Sequence, residues 1–297
     1  MTMNRRQFAR TVAGVAAGTI VAGTAEAIPN APAPAADTPF PLSVMLWTVF
    51  RDLPFEQRME KVAEAGYRAI ELVDEFKAWS DDDFRKAQRK RRELGITFDT
   101  TAGIHRSLTD PADRDAFIAE VRAMLTIMEK LECNKLIVLS GNKVPTLSHD
   151  EQRASCVEGL KRAAEVASAR NVELLLENID PEENPKYFLT SVAEGFDIVR
   201  EINNPHVTFL YDFFHEQISE GNLIEKLQKN IDVVGLVHVA DVPGRHEPGT
   251  GEIHYPNIYR KLAELKYNRY CAMEFLPTRD AVASLKAARE EVMKSVA

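Results

Sequence analysis

From residue 42 onward, the chain alternates short apolar segments with longer amphipathic ones. Short apolar segments of this kind are typical of strands that are buried in a parallel sheet. The predicted strands are residues 42–47, 69–72, 97–101, 135–140, 173–179, 208–212, 233–240 and 270–275. Eight strands, each followed by a helical segment, favour an α/β fold with a single domain, the (β/α)8 or TIM barrel, over residues 42–297. A doubly wound open sheet is the alternative, but neither a GxGxxG nor a P-loop pattern follows the first strand.

The segments between the predicted strands carry apolar residues at helical spacing, as at Phe117 and Val121. This spacing places the apolar side chains on one face of a helix, which can then pack against the sheet. Gly66, Gly95 and Asn171 stand where three of these helices should end, because both residue types accept the left-handed conformation that terminates helices.

The overall charge of the chain limits the partners that it can bind. The 297 residues carry a formal net charge of −8, and an acidic protein of this kind is a poor partner for nucleic acid. We therefore expect a small-molecule substrate, a keto acid or a sugar, and leave open whether the chain forms a homo-oligomer. Cys133, Cys156 and Cys271 are odd in number and widely spaced, so we predict buried thiols rather than a disulfide framework or a CxxC metal site.

The N-terminus has the features of an export signal. Arg5 and Arg6 precede a weakly apolar run rich in Ala, Val and Gly, and residues 25–27 supply a small-x-small cleavage pattern. Residues 1–27 therefore resemble a twin-arginine signal. A membrane anchor is the alternative, but the apolar run is too short and too rich in Gly and Ala for a comfortable membrane span. Residues 28–41 are predicted to be a Pro/Ala-rich linker. The expected location is periplasmic, or exported through the twin-arginine pathway, without a membrane anchor in the mature form.

The seventh predicted strand leads into a loop that is unusually rich in polar and turn-forming residues. Its polar residues are His238, Asp241, Arg245, His246, Glu247 and Glu252. Glycines and prolines between them exclude a helix, and the loops after barrel strands are where TIM barrels place their active sites. An ordinary surface loop is the alternative.

Acidic or imidazole residues end each of the last four predicted strands. These residues are Glu177, Asp212, His238 and Glu274. Buried carboxylates that converge repel one another unless a cation lies between them. Each residue alone has a structural alternative, as a helix cap, an ion-pair partner or a hydrogen-bonded core histidine, but their occurrence on four successive strands favours a metal site. Three carboxylates and one imidazole favour Mn²⁺, Mg²⁺ or Co²⁺ over a thiolate-type zinc site.

This set of four residues resembles the metal site of the xylose-isomerase-like TIM barrels. Within that family the chain is similar to the sugar isomerases and epimerases, especially the hydroxypyruvate isomerases, over residues from about 42 to 295. Three local patterns carry the likeness. They are Glu183 six residues after Glu177, the Asp-x-x-His pattern of Asp212 and His215, and the segment from His238 to Arg245 with its following Glu247–Glu252 loop.

The resemblance implies an isomerase that depends on a divalent metal. Glu177 and Glu274 would be the catalytic acid and base as well as metal ligands together with Asp212 and His238. The substrate would be of the hydroxypyruvate type, converted to a tartronate semialdehyde through an enediolate. Return of the proton to the opposite face of the same carbon would instead make the enzyme a ketose 3-epimerase, and the sequence leaves this alternative open.

The resemblance further implies four substrate-binding residues: Glu183, His215, Arg245 and Glu252. Arg245 could instead close on a glutamate of its own loop, and Glu252 could orient His238 or the loop. Three other residues are candidates for the wall of the pocket: Trp47, Phe50 and His105.

Other functions remain as alternatives. They are a lyase or hydrolase acting on oxidised sugars with the same metal site, an exported sugar-binding protein without catalysis, and an endonuclease-like barrel with several zinc ions. The last needs more histidines at strand ends and a basic groove than this acidic chain with seven histidines provides.

Overall fold

Eight parallel strands close into a barrel in the order in which they follow along the chain. The computed structural model describes residues 38–297, so the predicted export signal and all but the last residues of the predicted linker lie outside the described residues. The strands are β1 (Leu42–Met45), β2 (Ala69–Leu72), β3 (Thr97–Thr101), β4 (Lys135–Leu139), β5 (Glu173–Glu177), β6 (Val207–Asp212), β7 (Val234–Val239) and β8 (Cys271–Met273). β1 pairs with β8 as well as with β2, which closes the ring and confirms the predicted TIM barrel.

Helices cover the outside of the barrel. They are α1 (Phe55–Glu64), α2 (Asp81–Leu94), α3 (Arg114–Leu131), α4 (His149–Ser168), α5 (Val192–Ile202), α6 (Phe213–Ser219), α7 (Leu223–Asn230), α8 (Tyr255–Glu264) and α9 (Ala281–Val296). Gly95 caps α2 in the left-handed conformation, and Gly66 and Asn171 have positive φ shortly after α1 and α4, as predicted. Several strands are shorter than predicted because the backbone leaves the sheet at the rim. Trp47, for example, lies in a 3-10 turn after β1.

Side chains alternate between the interior of the barrel and the helical layer. Along β5, Leu174 and Leu176 belong to the large core between strands and helices, whereas Leu175 belongs to the interior. The interior has only a thin apolar layer, formed by Met45, Ala69, Ile137, Leu175, Leu210, Leu236 and Tyr270. Glu173 at the start of β5 and Glu177 at its end flank this layer. The apolar layer therefore separates two polar regions, one at each end of the barrel.

The polar region at the amino ends of the strands is internally paired. Glu173 accepts hydrogen bonds from Thr208 at 2.6 Å and from Arg269 at 2.5 Å, and the Lys135 ammonium lies 4.0 Å from its second oxygen. The two basic groups compensate the buried charge of Glu173, so this carboxylate is not a lone charge at the amino end of the barrel. The opposite end, at the carboxyl ends of the strands, is the one that holds the predicted site residues.

Two further sequence predictions concern composition. All three cysteines are buried and unpaired, as predicted. Within residues 38–297, none of the helices is long and apolar enough to cross a membrane.

The contact between α5 and β6 yields a test of the packing. Gly195 lies where a Cβ atom would overlap the ring of Phe209, and the ring is fully buried. We expect Gly195→Ala to lower the free energy of unfolding by about 1–3 kcal/mol, because overpacking forces a core ring or the helix to shift. Urea unfolding followed by circular dichroism measures the change. Asp197→Ala, on the exposed face of the same helix, is the matched control, and equal stability of the two variants would contradict this packing.

Candidate metal centre and active site

The structure brings the four predicted metal ligands together at the carboxyl end of the barrel. Glu177 ends β5, Asp212 ends β6, His238 lies on β7, and Glu274 directly follows β8. One ligand atom from each of them lies within 4.8 Å of the others, and all four side chains are buried. They converge because each occupies an inward-facing position at the same end of a parallel ring.

The atoms at the centre of this cluster are held together by ion pairs. Oε2 of Glu274 lies 2.6 Å from Nδ1 of His238 and 2.6 Å from Nη2 of Arg245, but neither Oε2 nor Nδ1 makes a hydrogen bond within the described residues. Oε1 of Glu177 lies 3.7 Å from the same Nδ1. Buried polar atoms are normally hydrogen-bonded, so buried carboxylate and imidazole atoms that face one another without hydrogen bonds can serve as ligands of a cation. The four residues therefore fit a metal ion.

The two glutamates of the cluster have opposite electrostatic surroundings. Burial raises the pKa of Glu177 to about 8. Burial acts in the same direction on Glu274, but the charges of Arg245 and His238 outweigh it and hold the pKa of that carboxyl below its usual value. Two carboxyl groups whose pKa values are pushed apart are a common arrangement for acid and base catalysis.

His238 balances part of the negative charge of the cluster. Burial opposes protonation, yet Glu274 and Glu71 together hold the pKa of the imidazole well above its ordinary value. A proton on His238 and a metal ion at the cluster would both compensate the negative charge of the same carboxylates. Metal binding would therefore displace that proton, as it does at most protein metal sites.

Arg245 lies beside the cluster, on the side of the predicted substrate. Its Nη2 is 3.0 Å from Asp212 and 2.6 Å from Glu274, and its Nη1 is 3.1 Å from Glu183. The guanidinium is 4.8 Å from the ring centre of Phe214 and only 8% of the residue is exposed. Arg245 therefore faces the metal ligands and Glu183, and the alternative in which it pairs within its own loop is wrong.

His215 is oriented by an aspartate that the sequence analysis missed. Oδ2 of Asp180 lies 2.6 Å from Nδ1 of His215, and Nε2 of His215 lies 3.2 Å from Nη1 of Arg245. The other oxygen of Asp180 accepts the backbone N–H groups of Glu182 and Glu183. Asp180 thus fixes both the imidazole and the turn that presents Glu183. Its position just after a strand, before a proline, was the signal in the sequence.

The loop that carries Arg245 is held by hydrogen bonds to Asp241. Its Oδ2 accepts the N–H groups of Gly249 and Gly251, and its Oδ1 accepts those of Val242 and Ile253. The Val242-Pro243 peptide bond in this loop is cis. Four backbone donors on one buried carboxylate fix the path of the loop, and with it the position of Arg245.

Two of the remaining predicted residues lie away from the cluster. Glu252 is exposed and accepts a hydrogen bond from Gln217 rather than from His238, and its predicted contact with substrate stays a prediction. The path of the loop turns its side chain outward. His105 is exposed as well, and its backbone N–H donates to Glu120.

The predicted aromatic wall is present in part. Trp47 donates its indole N–H to Oε1 of Glu274 at 2.9 Å, so it contacts the cluster directly. Phe50 is partly buried against the main core and has a φ of 55°, which is unusual for a bulky residue.

Glu71 on β2 is a second residue that the sequence analysis missed. It is fully buried, and its Oε2 lies 3.0 Å from Nε2 of His238. A charged residue in a short apolar strand was the available signal, but Glu71 stands inside its strand and not at the strand end, where the predicted ligands stand. The histidine thus touches a carboxylate through each of its two nitrogens.

The fold and the cluster define a TIM barrel with a candidate metal centre at the carboxyl ends of its strands. A family model described as xylose isomerase-like TIM barrel matches residues 59–294. The chain belongs to this family, as the sequence patterns predicted.

Known proteins of similar sequence are isomerases. A 2-oxo-tetronate isomerase from Cupriavidus necator is 35% identical over 249 residues, covering 80% of this chain and 93% of that protein. The hydroxypyruvate isomerase of Escherichia coli is 27% identical over 250 residues, covering 82% and 96%. The crystal structure of the IOLI protein with a zinc atom has the same fold, with a TM-score of 0.72, 18% identity and coverage of 86% of this chain and 98% of that one. The resemblance to hydroxypyruvate isomerases is confirmed, and the relatives support an isomerase.

The convergence of the four ligands predicts that a metal ion stabilises the protein. Mn²⁺ added to EDTA-treated protein should raise the melting temperature in a concentration-dependent way, because an ion bound only to the folded state adds about 2.7 kcal/mol at a hundredfold excess over Kd. Glu177→Gln should lose most of this increase. Glu252→Gln, whose carboxylate lies outside the cluster, should keep it. Differential scanning fluorimetry measures both, and an equal response of Glu177→Gln and the wild type would contradict the assignment.

Proposed function

We propose that the protein is a divalent-metal-dependent isomerase that interconverts a small hydroxy-keto acid or sugar, of the hydroxypyruvate to tartronate semialdehyde type. The observation that carries this proposal is the convergence of Glu177 and Glu274, with opposite pKa shifts, on one metal-binding cluster beside a buried arginine. The isomerases among its relatives support the same reaction class.

Glu177, Asp212, His238 and Glu274 would hold the metal ion. Three carboxylates and a single imidazole favour Mn²⁺, Mg²⁺ or Co²⁺. The structure of the IOLI protein, which has the same fold, contains zinc, so Zn²⁺ is a further candidate. When bound, a divalent ion supplies Lewis acidity, which polarises a carbonyl and makes the neighbouring C–H bond more acidic.

The two glutamates would carry the proton transfers. One carboxylate would remove the proton from carbon to give an enediolate, and the other carboxyl group would return a proton to the neighbouring carbon. The proton of the substrate hydroxyl would move to the former carbonyl oxygen, which completes the isomerisation. In the free protein, Arg245 holds the pKa of Glu274 low, which makes this carboxylate a weak base. A substrate carboxylate that pairs with Arg245 weakens this attraction. Substrate binding would therefore raise the basicity of Glu274 at the moment when it is needed.

Arg245 would select the substrate. Its guanidinium is buried between Asp212, Glu274 and Glu183 and packs against the face of Phe214. A planar, fixed guanidinium of this kind fits a carboxylate in bidentate fashion. We infer that the substrate carries a carboxylate next to its keto group.

A ketose 3-epimerase is the second candidate. His215 and Glu183 lie beside Arg245 and can bind hydroxyl groups, so a neutral ketose also finds polar partners here. The same two glutamates would then act on opposite faces of one carbon atom.

We propose in addition that the protein is exported through the twin-arginine pathway. The paired arginines Arg5 and Arg6 and the small-x-small pattern at residues 25–27 support this proposal. A fusion of residues 1–41 to a reporter that is active only in the periplasm tests it. Export should depend on the twin-arginine translocase and stop when Arg5 and Arg6 are both replaced by lysine.

Loss of either carboxylate should abolish turnover without unfolding the protein. Glu274→Gln keeps the shape of the side chain but removes the base, so we expect kcat to fall by about 10²–10⁴-fold. Conversion of hydroxypyruvate and of a panel of ketoses is measured with Mn²⁺ or Mg²⁺ and after EDTA treatment, with circular dichroism as the control for folding. Full activity of Glu274→Gln, or of the metal-free protein, would refute the proposal.

The role of Arg245 predicts a change of selectivity. Arg245→Lys keeps the charge but loses the bidentate contact, so KM for hydroxypyruvate should rise about tenfold, equivalent to about 1.4 kcal/mol. KM for a neutral ketose should change little. Arg85→Lys, at an arginine of α2 whose side chain is 64% exposed, is the matched control. A parallel change for both substrates would show that Arg245 does not recognise a carboxylate.

A further inference from the structure

Glu71 lies inside the barrel, on a strand that contributes nothing to the predicted metal cluster. Its side chain is fully buried, and β2 pairs with β1 and β3 rather than with β7. The carboxylate nevertheless reaches His238 across the interior, with Oε2 at 3.0 Å from Nε2. A buried carboxylate is costly unless it is paired, so this contact is the reason that Glu71 can occupy the position.

Irregularities in the sheet accompany both residues. The register between β2 and β3 shifts directly before Glu71, and Asp99 is the extra residue on β3. The register between β6 and β7 shifts as well, and Gly235 is the extra residue on β7, three positions before His238. A Cβ atom at Gly235 would overlap the hydroxyl of Thr208. A bulge bends the strand that carries the extra residue, and on β7 this bend lies three positions before His238.

The two ring nitrogens of His238 therefore have different surroundings. Nε2 faces Glu71. An ionised carboxylate has no proton to donate, so it can only accept a hydrogen bond. Nδ1 faces the carboxylates of the cluster, with Glu274 at 2.6 Å and Glu177 at 3.7 Å. Once these two carboxylates bind a metal ion, the acceptor at Nε2 would keep the proton on that nitrogen and leave the lone pair of Nδ1 for the ion.

We propose that Glu71 is a positioning residue for the metal centre, and that it fixes His238 so that the imidazole binds the metal through Nδ1. This inference rests on the proposed function, because it assumes that the cluster holds a metal. Glu71 is not one of the four residues whose ligand atoms converge in the cluster. It acts by holding the ring orientation and the tautomer of its one imidazole ligand.

The first test is metal affinity, measured without any assay of activity. Glu71→Gln should weaken Mn²⁺ binding by about 10–100-fold in competition with a chromophoric chelator, because carboxylates that hold a metal-binding histidine contribute that much. Glu173→Gln is the matched control. Glu173 is an equally buried carboxylate, but it lies at the amino end of β5, where its hydrogen-bond partners are Thr208 and Arg269. Its affinity should stay within about twofold of the wild type, as expected for a residue outside the site.

The second test reads the coordinating nitrogen directly and needs no variant of Glu71. Zinc-loaded full-length protein with ¹⁵N-labelled histidine is examined by two-dimensional NMR, and the His238 signals are assigned by their loss in His238→Asn. The proposal expects a protonated Nε2 and a zinc-bound Nδ1. Coordination through Nε2 would overturn it, as would wild-type affinity for Mn²⁺ in folded Glu71→Gln. Absence of metal binding by the wild type would overturn the proposed function as well, so the two failures are distinguishable.

Discussion

The site depends on the balance of charge among three buried carboxylates. Glu177, Asp212 and Glu274 converge in the interior of the barrel, where their repulsion is weakly screened. His238 and Arg245 supply the opposing charges in the protein alone. A metal ion would take over this role from the protonated histidine, and a substrate carboxylate would draw on the arginine. Metal binding would therefore replace the charge of His238, and substrate binding would compete with the three carboxylates for the charge of Arg245.

The loop after β7 fixes the position of Arg245, which supplies part of this positive charge. Asp241 accepts four backbone N–H groups of the loop, and Glu247 accepts the backbone N–H of Thr278 and the hydroxyl of Ser284 in the following segment. These two carboxylates have no contact with substrate in the proposed mechanism. They hold the arginine in place, so that its charge does not have to be reorganised during the reaction.

The sequence predicted the barrel and the central cluster because both follow from local patterns. An apolar run of four to six residues that ends in a carboxylate defines its strand and its end of the barrel together. Glu71 could not be placed in this way, since its partner His238 lies 167 residues away and only the closed barrel brings the two side chains into contact across its interior. The contacts of Asp180 and Glu252 depend on the geometry of the turns that carry them. The loop path set by Asp241 turns Glu252 outward, and no spacing in the sequence shows this path.

The pairing of β1 with β8 has a consequence for how the metal site is connected to the first half of the chain. The ligands of the cluster come from β5 to β8, the partner of its histidine comes from β2, and the last carboxylate follows the last strand. Because β1 pairs with both β2 and β8, closure of the ring brings Glu71 to the cluster that is formed by the ends of β5 to β8. A metal ion held by the four ligands would therefore be linked to the first half of the chain through the contact of His238 with Glu71 and that of Glu274 with Trp47.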